Sequence, residues 1–264
     1  MPEKTLLDTS VPNAGRIYDY LLGGHHNFEV DRQVAEHLRA LIPFVPKLMR
    51  MMRWCLQDIA RTLTYERGYR YIIDFASGLP TMGHIHTAVA PGTVVIYSDR
   101  DPVCVEYSKE ILGNTPNVYY FQADCRRPEE LLNRPEVQEI LGNNRHVAFV
   151  YWGITGFMTD EDIAHVAYVL YDWSDEGSCW AVFIGEGNPD HPIAKRVFET
   201  YRQIGEPVYY RSLATFRELV KPWRPDEQGF RSMEEWHGLK DTMTEEDKQV
   251  FAAGGGGYGV YLVK

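Results

Sequence analysis

Five short apolar runs alternate with amphipathic segments over residues 69–187 of the chain. The runs are YRYIIDFASG, TVVIYSDRD, NVYYFQAD, HVAFVYWGITGF and SCWAVFIGEG, all rich in β-branched and aromatic residues. Apolar residues recur at helical spacing in the segments between them, at residues 80–90, 102–112, 128–141 and 160–173. Apolar strands joined through helices are typical of a parallel sheet covered on both faces. The pattern therefore predicts a doubly wound α/β fold.

The segment before the first strand has a helical pattern. Residues 12–40 predict short helices interrupted at Gly23–Gly24, and residues 47–67 predict one long amphipathic helix. We therefore expect an N-terminal helical cap over residues 1–65 and one α/β domain over residues 66–264.

The chain after the fifth strand has a different pattern. Residues 191–204 and 212–221 predict helices, whereas GFRSMEEWHG and YGVYLVK predict two closing strands. Closing strands with no good helix between them predict an antiparallel edge on an otherwise parallel sheet. The run Gly254–Gly257, directly before the last strand, is typical of a flexible loop.

The composition is that of a folded, acidic protein. The 264 residues include 27 Lys and Arg against 37 Asp and Glu, a formal net charge of −10. This balance argues against binding to a nucleic-acid backbone or to an anionic membrane. The N-terminus MPEKTLLDTS lacks the apolar region of a secretory signal, and no apolar run approaches the roughly 18 residues that span a bilayer. Four well-separated cysteines indicate free thiols in a reducing compartment, the cytoplasm: Cys55, Cys104, Cys125 and Cys179.

Three aspartates follow the first three predicted strands. Asp74, Asp99 and Asp124 are 25 residues apart and each stands where a strand ends. Ligands of open α/β sheets bind outside these carboxyl ends. A single aspartate there is also a common helix cap or turn former. Three at equivalent positions favour a ligand site.

The first loop indicates which ligand fits. A carboxylate at the end of the second strand suits two ribose hydroxyls, as in sites for NAD or for S-adenosylmethionine. A dinucleotide site favours G-x-G-x-x-G, whereas residues 74–81 read DFASGLPT, with one glycine. Asp74 would lie near an anionic pyrophosphate, which is unfavourable, but suits a sulfonium and an α-ammonium. Asp124 would then accept a hydrogen bond from the adenine amino group.

Four stretches carry a resemblance to a known family. RIYDYLLGGHHNFEVDR, IIDFASGLPT, VVIYSDRDPV and QADCRRPEELL resemble the S-adenosyl methyltransferase family long catalogued as a domain of unknown function. The resemblance extends from about Pro12 to the last strand. It implies a class I methyltransferase fold, with a seven-stranded, Rossmann-like sheet whose last strand is antiparallel. It also implies S-adenosylmethionine as cofactor and S-adenosylhomocysteine as product, and it does not identify an acceptor.

By position, the resemblance also implies the residues that contact the cofactor. The loop from Asp74 to Gly78 would wrap the methionine end, Asp99 would hold the ribose, and Asp124 with the Cys125 backbone would read the adenine edge. The full expected set is Arg16, Tyr18, Asp74, Ala76, Ser77, Gly78, Thr81, Asp99, Arg100, Asp124, Cys125 and Trp152.

Two positions depart from the family pattern. Ala76 stands where glycine is common, which narrows the space for a close backbone approach. Gly156 stands near the place where related sequences often carry a histidine, so any base role of that histidine is absent from this chain.

Polar and aromatic residues around Gly23–Gly24 predict a lid over the ligand, with Arg16 and Tyr18 as its contacts. The alternative is a helical cap that packs on the sheet for stability. His25-His26 and His84-x-His86 lack partners at metal-ligand spacing, so no metal site is predicted.

The sequence therefore favours an S-adenosylmethionine-dependent methyltransferase with a small-molecule acceptor as its partner, and not nucleic acid or a membrane. If the acceptor is a hydroxyl or an ammonium, a general base is needed. The catalytic residue is not identified; Glu186 and His146 are the candidates. A regulatory protein that binds the cofactor without turnover is the alternative. An NAD-dependent oxidoreductase is disfavoured by the first loop.

Overall fold

The computed structural model describes residues 8–186, 188–236, 238, 244–245 and 256–264. The helices are α1 (Ala14–Leu22), α2 (Glu29–Leu41), α3 (Val45–Arg61), α4 (Pro102–Leu112), α5 (Pro128–Leu132), α6 (Pro135–Leu141), α7 (Asp160–Trp173), α8 (Pro192–Gln203), α9 (Leu213–Leu219) and α10 (Met233–Trp236). The strands are β1 (Tyr71–Phe75), β2 (Val94–Asp99), β3 (Val118–Gln122), β4 (Ala148–Tyr151), β5 (Cys179–Glu186), β6 (Arg224–Pro225), β7 (Arg231–Ser232) and β8 (Gly256–Val263).

The strands form one mixed sheet in the order β3-β2-β1-β4-β5-β8-β6, and β7 also pairs with β8. Strands β1 to β5 are parallel, whereas β8 runs antiparallel to β5. The predicted doubly wound sheet with an antiparallel last strand is therefore confirmed. The sheet has eight strands and not seven, because two-residue strands β6 and β7 pair with separate parts of β8.

The closing strands form the predicted antiparallel edge, because β8 runs antiparallel to β5 and also to the short strands β6 and β7. Strand β8 lies between β5 and β6, inside the sheet. Gly256 and Gly257, expected in a flexible loop, are the first residues of β8 and pair with Glu186 and Gly185. A side chain at Gly257 would place its Cβ only 2.5 Å from the carbonyl oxygen of Ile184, so glycine there permits the pairing. The first half of the glycine run, residues 254–255, lies outside the described residues.

The helix expected at residues 80–90 is also wrong. This segment contains only the single 3-10 turn Ile85–Thr87. Met82 and Gly83 have φ angles of 52° and 75°, in the left-handed region that a right-handed helix excludes. The Gln57 side-chain amide of α3 donates to the Gly83 carbonyl at 2.8 Å, which holds the loop in this form.

The strand expected at GFRSMEEWHG is confined to β7, because helix α10 begins at Met233. The helix expected at residues 128–141 is divided into α5 and α6 at Asn133–Arg134. Pro135 opens α6 because proline favours the first helical position and cannot continue a preceding helix.

The sheet is covered on both faces, because successive strand residues point in opposite directions. On one face, Ile72 of β1 belongs to the same buried cluster as Met51, Cys55 and Ile59 of α3. On the other face, the neighbouring Ile73 belongs to a cluster with side chains of α7 and α9. Helix α3 is therefore part of the core of the sheet.

A smaller buried cluster joins α1 and α2 to the start of α3. These helices reach the carboxyl ends of the strands, where the backbones of Gly15 and Gly78 meet. A Cβ at Gly15 would lie 3.3 Å from the Cα of Gly78. The boundary between cap and α/β domain at residues 65 and 66 stays a prediction.

Candidate active site

A cavity of about 210 Å³ lies at the carboxyl ends of β1 to β4, beneath α1 and α3. Residues of α1 and α3 line it, together with the loops that follow the strands. Of the expected cofactor contacts, ten line it: Tyr18, Asp74, Ala76, Ser77, Gly78, Asp99, Arg100, Asp124, Cys125 and Trp152. The three aspartates predicted from strand ends thus meet in one cleft, which we call the strand-end cleft.

Asp99 is held by the backbone of the loops around it. It is the last residue of β2, and its two carboxylate oxygens accept hydrogen bonds from the amides of Gly78 at 3.0 Å and Asp101 at 2.9 Å. It is 8% exposed, and burial raises its pKa to about 6 against the effect of these bonds. A carboxylate has about four acceptor positions, so two remain for ligand hydroxyls.

Asp74 is a buried acid in β1. It is 2% exposed, and burial raises its pKa to about 7. His84 Nε2 lies 3.9 Å from a carboxylate oxygen of Asp74. The Nδ1 atom of His84 accepts a hydrogen bond from the Ile85 amide, so Nε2 carries the proton, and burial holds the pKa of His84 well below its ordinary value. This neutral imidazole supplies no counter-charge, so Asp74 is suited to a cationic ligand group.

Asp124 is paired within its own loop. The Arg126 guanidinium donates from Nε to both of its carboxylate oxygens, at 2.9 and 3.1 Å. Burial alone would raise the pKa of Asp124, but the bonds from Arg126 lower it below its ordinary value. The Tyr151 hydroxyl donates to the Cys125 carbonyl at 2.8 Å and fixes the same loop. A ligand amino group at Asp124 would therefore share the carboxylate with Arg126.

The loop after β1 is tightly constrained. The Ser77 hydroxyl donates to the Asp74 carbonyl at 2.9 Å, and the Ser77 amide donates to Ser98. Ala76 has a φ angle of 53°, in the region that favours glycine. This explains why glycine is common at the position: alanine takes the same conformation at a cost of roughly 1–2 kcal/mol.

Arg16 was expected to contact the cofactor, but it is not among the residues that line the cleft. It is 1% exposed, and its guanidinium donates to Asp31 at 2.9 Å, to Asp101 at 2.8 Å and to the Val11 carbonyl. These bonds join α1 to α2 and to the loop before α4. A guanidinium engaged in this way serves the position of α1 and does not face a ligand.

Of the other expected residues, Thr81 and His146 do not line the cleft, and the structure does not describe the side chain of Glu186. The Thr81 hydroxyl donates to Asp19 at 2.7 Å and ties the loop after β1 to α1. His146 precedes β4, at the edge of the sheet opposite the cleft, where its ring stacks on Tyr69 at 5.1 Å. Glu186 is the last residue of β5, and its side chain lies outside what is described.

Several cleft residues lie outside the expected set, and four of them are polar or aromatic side chains that sequence reasoning missed: Arg53, Arg126, Tyr201 and Glu206. The spacing of residues in α3 could have identified Arg53. The four cleft residues of this helix share one face at helical spacing: Met49, Met52, Arg53 and Leu56. Glu206 follows α8 and forms an ion pair with Arg100 across the cleft. No local pattern marks this contact, because the two residues are 106 positions apart.

Comparison with known proteins decides the family. A family model described as S-adenosyl methyltransferase matches residues 1–258. The chain belongs to the S-adenosyl methyltransferase family. Its cofactor is S-adenosylmethionine, and it is a methyltransferase of the class that this cofactor defines. The family, fold class and cofactor expected from the sequence are therefore confirmed.

Solved structures support the assignment along nearly the whole chain. A DUF574 family protein of Streptomyces avermitilis has a TM-score of 0.85 and 27% identity, with 97% of this chain and 99% of that one covered. A protein of Thermobifida fusca, described as a methyltransferase without a proven activity, has a TM-score of 0.84 and 25% identity over 97% and 96%. Magnesium protoporphyrin IX methyltransferase of Synechocystis, solved with S-adenosylhomocysteine, shares the fold at a TM-score of 0.52 and 12% identity over 94% and 92%.

No curated protein matches the sequence. These comparisons do not support the two alternatives, an NAD-dependent oxidoreductase and a regulatory protein that binds the cofactor without turnover. Within the described part of the methyltransferase, no group of three or more His, Cys, Asp or Glu side chains is placed to hold a metal ion. The same part of the chain has no helix long and apolar enough to cross a membrane.

Proposed function

We propose that the methyltransferase acts on a small-molecule acceptor bound in the strand-end cleft. The proposal is supported by the apolar and aromatic side chains that line the cleft beside the three acids. Met49 and Met52 of α3 line the cleft together with Trp152, Phe157 and Tyr201. The rings of Phe157 and Tyr201 meet edge to face at 5.3 Å, and the Trp152 indole donates to the Met52 carbonyl at 3.0 Å. An apolar and aromatic wall inside a cleft suits a small organic molecule better than a polymer.

The three acids are proposed to hold the cofactor. Asp74 would hold the α-ammonium, Asp99 the ribose hydroxyls, and Asp124 with the Cys125 amide the adenine edge. The donor set fits the group, since Asp74 is buried where a cation is expected, and its carboxylate forms no ion pair with a Lys or Arg side chain of the described residues. When bound, S-adenosylmethionine supplies a sulfonium methyl carbon, and the sulfur keeps the electron pair of the C–S bond as the acceptor's nucleophile takes the methyl group. The chain contributes orientation and exclusion of water.

A general base is not assigned. His146 lies at the opposite edge of the sheet, so a role at the cleft is not supported. Glu206 lines the cleft, but its carboxylate pairs with Arg100. Glu186 stays a prediction, to be tested by substituting glutamine and measuring the pH profile of turnover.

An acceptor screen tests the proposal. Purified protein is incubated with S-adenosylmethionine and with separate sets of small molecules, nucleic acids and proteins, and the release of S-adenosylhomocysteine is measured. The cytoplasm is the proposed compartment, so its metabolites come first. We expect turnover with a small molecule and none with the Asp99→Ala variant. Turnover confined to nucleic acid or protein would contradict the proposed acceptor class.

Cofactor affinity is expected to rise with pH up to about 7. The pKa of Asp74 is about 7 in the free protein, so at lower pH its neutral form does not attract an ammonium. Binding therefore releases a proton from Asp74 below pH 7, and affinity rises by up to about tenfold per pH unit between about pH 6 and 7. The rise is steeper below pH 6, where Asp99 is also protonated in the free protein. Affinity levels off above pH 7 and falls at higher pH, once the ligand's amino group loses its proton.

Calorimetry with S-adenosylhomocysteine from pH 5 to 9 measures this profile. Repeating the titration in buffers of different ionisation enthalpy gives the number of protons that binding releases. In Asp74→Asn, we expect the rise to end near pH 6, where Asp99 titrates. An unchanged profile in Asp74→Asn would contradict the assignment of Asp74 to the ammonium.

We also propose that α1 acts as a lid, with Tyr18 as its contact in the cleft. The lid rests on the close approach of Gly15 to Gly78. Gly15→Val would push α1 away from the loop after β1, so we expect affinity for S-adenosylhomocysteine to fall by about tenfold or more. Calorimetry measures the affinity, and thermal unfolding confirms that the variant is folded.

Ala40→Val is the matched control, since Ala40 is an exposed residue of α2. It adds a similar β-branched side chain to the helical cap, and we expect cofactor affinity to be unchanged. Equal affinities of Gly15→Val and wild-type protein would instead favour a cap that serves stability alone.

A further inference from the structure

Three arginines of the described chain are buried, and one of them differs from the others in its partners. Arg16, Arg53 and Arg211 are 1%, 4% and 5% exposed. Arg16 forms ion pairs with two carboxylates and Arg211 with one. No carboxylate of the described residues lies within 4.0 Å of the Arg53 guanidinium. Burial of a charge without a partner is costly, so this arrangement requires a reason.

The Arg53 guanidinium is only partly satisfied by the protein. Its Nη1 atom donates to the Thr81 carbonyl at 2.8 Å, and its central carbon lies 5.2 Å from the centre of the Tyr18 ring. Its Nε atom is buried and has no hydrogen-bond partner among the described residues. An unsatisfied buried donor costs roughly 1–3 kcal/mol. The contacts that exist hold the side chain in place and leave donor capacity free.

Arg53 also stands in the wall of the strand-end cleft, and so does Asp74. The cleft thus holds a buried cation and a buried acid that form no ion pair with each other. The positive charge of Arg53 lowers the pKa of Asp74 and so favours its ionised form. A ligand that carries an ammonium and a carboxylate on one carbon atom supplies both missing partners at once. The amino-acid end of the cofactor has this chemistry.

We propose that Arg53 binds the α-carboxylate of the cofactor's methionine moiety and makes the cleft selective for the intact amino acid. This inference rests on the proposed cofactor site of the three acids. A carboxylate of the acceptor is the other source of the same chemistry. Binding measured without any acceptor distinguishes the two sources.

The test compares two ligands that differ by the carboxylate alone. S-adenosylmethionine carries it, whereas decarboxylated S-adenosylmethionine keeps the sulfonium, the ammonium and the nucleoside. Calorimetry is performed on the wild-type chain, Arg53→Met and Arg53→Lys. For Arg53→Met, we expect affinity for S-adenosylmethionine to fall by about 10- to 100-fold, the range for a charge-assisted hydrogen bond. Affinity for the decarboxylated ligand should stay within about threefold, and Arg53→Lys should recover part of the selectivity.

Arg50→Met is the matched control, because Arg50 is exposed on the same helix and does not line the cleft. It should bind both ligands as the wild-type chain does. Thermal unfolding shows whether Arg53→Met is folded, and we expect no loss of stability, since the substitution removes an unpaired buried charge.

Three outcomes would overturn the inference. Equal weakening of both ligands in Arg53→Met means that Arg53 only supports the helix. Unchanged affinity for both ligands means that its partner is not the cofactor, and an acceptor carboxylate becomes the remaining source. A wild-type chain that binds neither ligand overturns the cofactor site itself, which separates failure of the proposed function from failure of the Arg53 assignment.

Discussion

Replacing Asp99 by alanine is expected to lower affinity for S-adenosylhomocysteine by at least about 100-fold. Two ribose hydroxyls would lose a charged acceptor, and each such hydrogen bond contributes roughly 1.5–3 kcal/mol. The pKa of Asp99 is about 6, so the carboxylate is ionised in the wild-type chain at pH 8, where the measurement is made. Loss of the acceptor also leaves the amides of Gly78 and Asp101 without their partner.

Asp99→Asn separates these two effects. Its amide oxygen still accepts one backbone hydrogen bond, so the loop loses less support, whereas the charge is removed. We expect Asp99→Asn to unfold nearer the wild-type temperature than Asp99→Ala and still to bind the ligand at least about tenfold more weakly than the wild-type chain. Wild-type affinity in both variants would count against the ribose role of Asp99.

Replacing Arg16 by methionine is expected to lower the free energy of unfolding by about 3–5 kcal/mol. Removal of one partner from a buried ion pair leaves the other charge without compensation. Asp31, which is fully buried, would keep only its bonds from the amides of Asn13 and Phe28. Urea denaturation at pH 7 measures the change.

Arg39→Met is the control for this measurement. Arg39 pairs with Glu36 at 3.0 Å on the exposed face of α2, and exposed pairs contribute at most about 1 kcal/mol. Similar losses from both substitutions would contradict the structural role of Arg16. A specific loss of ligand affinity in Arg16→Met, with stability retained, would restore the direct contact expected from sequence.

The strand-end acids were predictable because their positions follow from local pattern. An apolar run shows where a parallel strand ends, and the fold brings all such ends to one edge, so Asp74, Asp99 and Asp124 meet. Tyr18 was predicted from its place beside Gly23–Gly24. The fold class followed in the same way, from the alternation of apolar and amphipathic segments.

Contacts between distant parts of the chain were not predictable in this way. The ion pair of Arg100 with Glu206 joins the end of β2 to the segment after α8. The place of β8 inside the sheet depends on pairing with β5 and not on its own pattern. The ion pair of Arg16 with Asp101 was not predictable either, because the two residues are 85 positions apart.

The three strand-end acids are proposed to build a site for a sulfonium nucleoside and to exclude a pyrophosphate. Calorimetric titration of the wild-type chain with S-adenosylmethionine, S-adenosylhomocysteine and NAD tests this site most directly. We expect one-to-one binding of both sulfur compounds and no binding of NAD. Binding of NAD, with no binding of either sulfur compound, would contradict the claim.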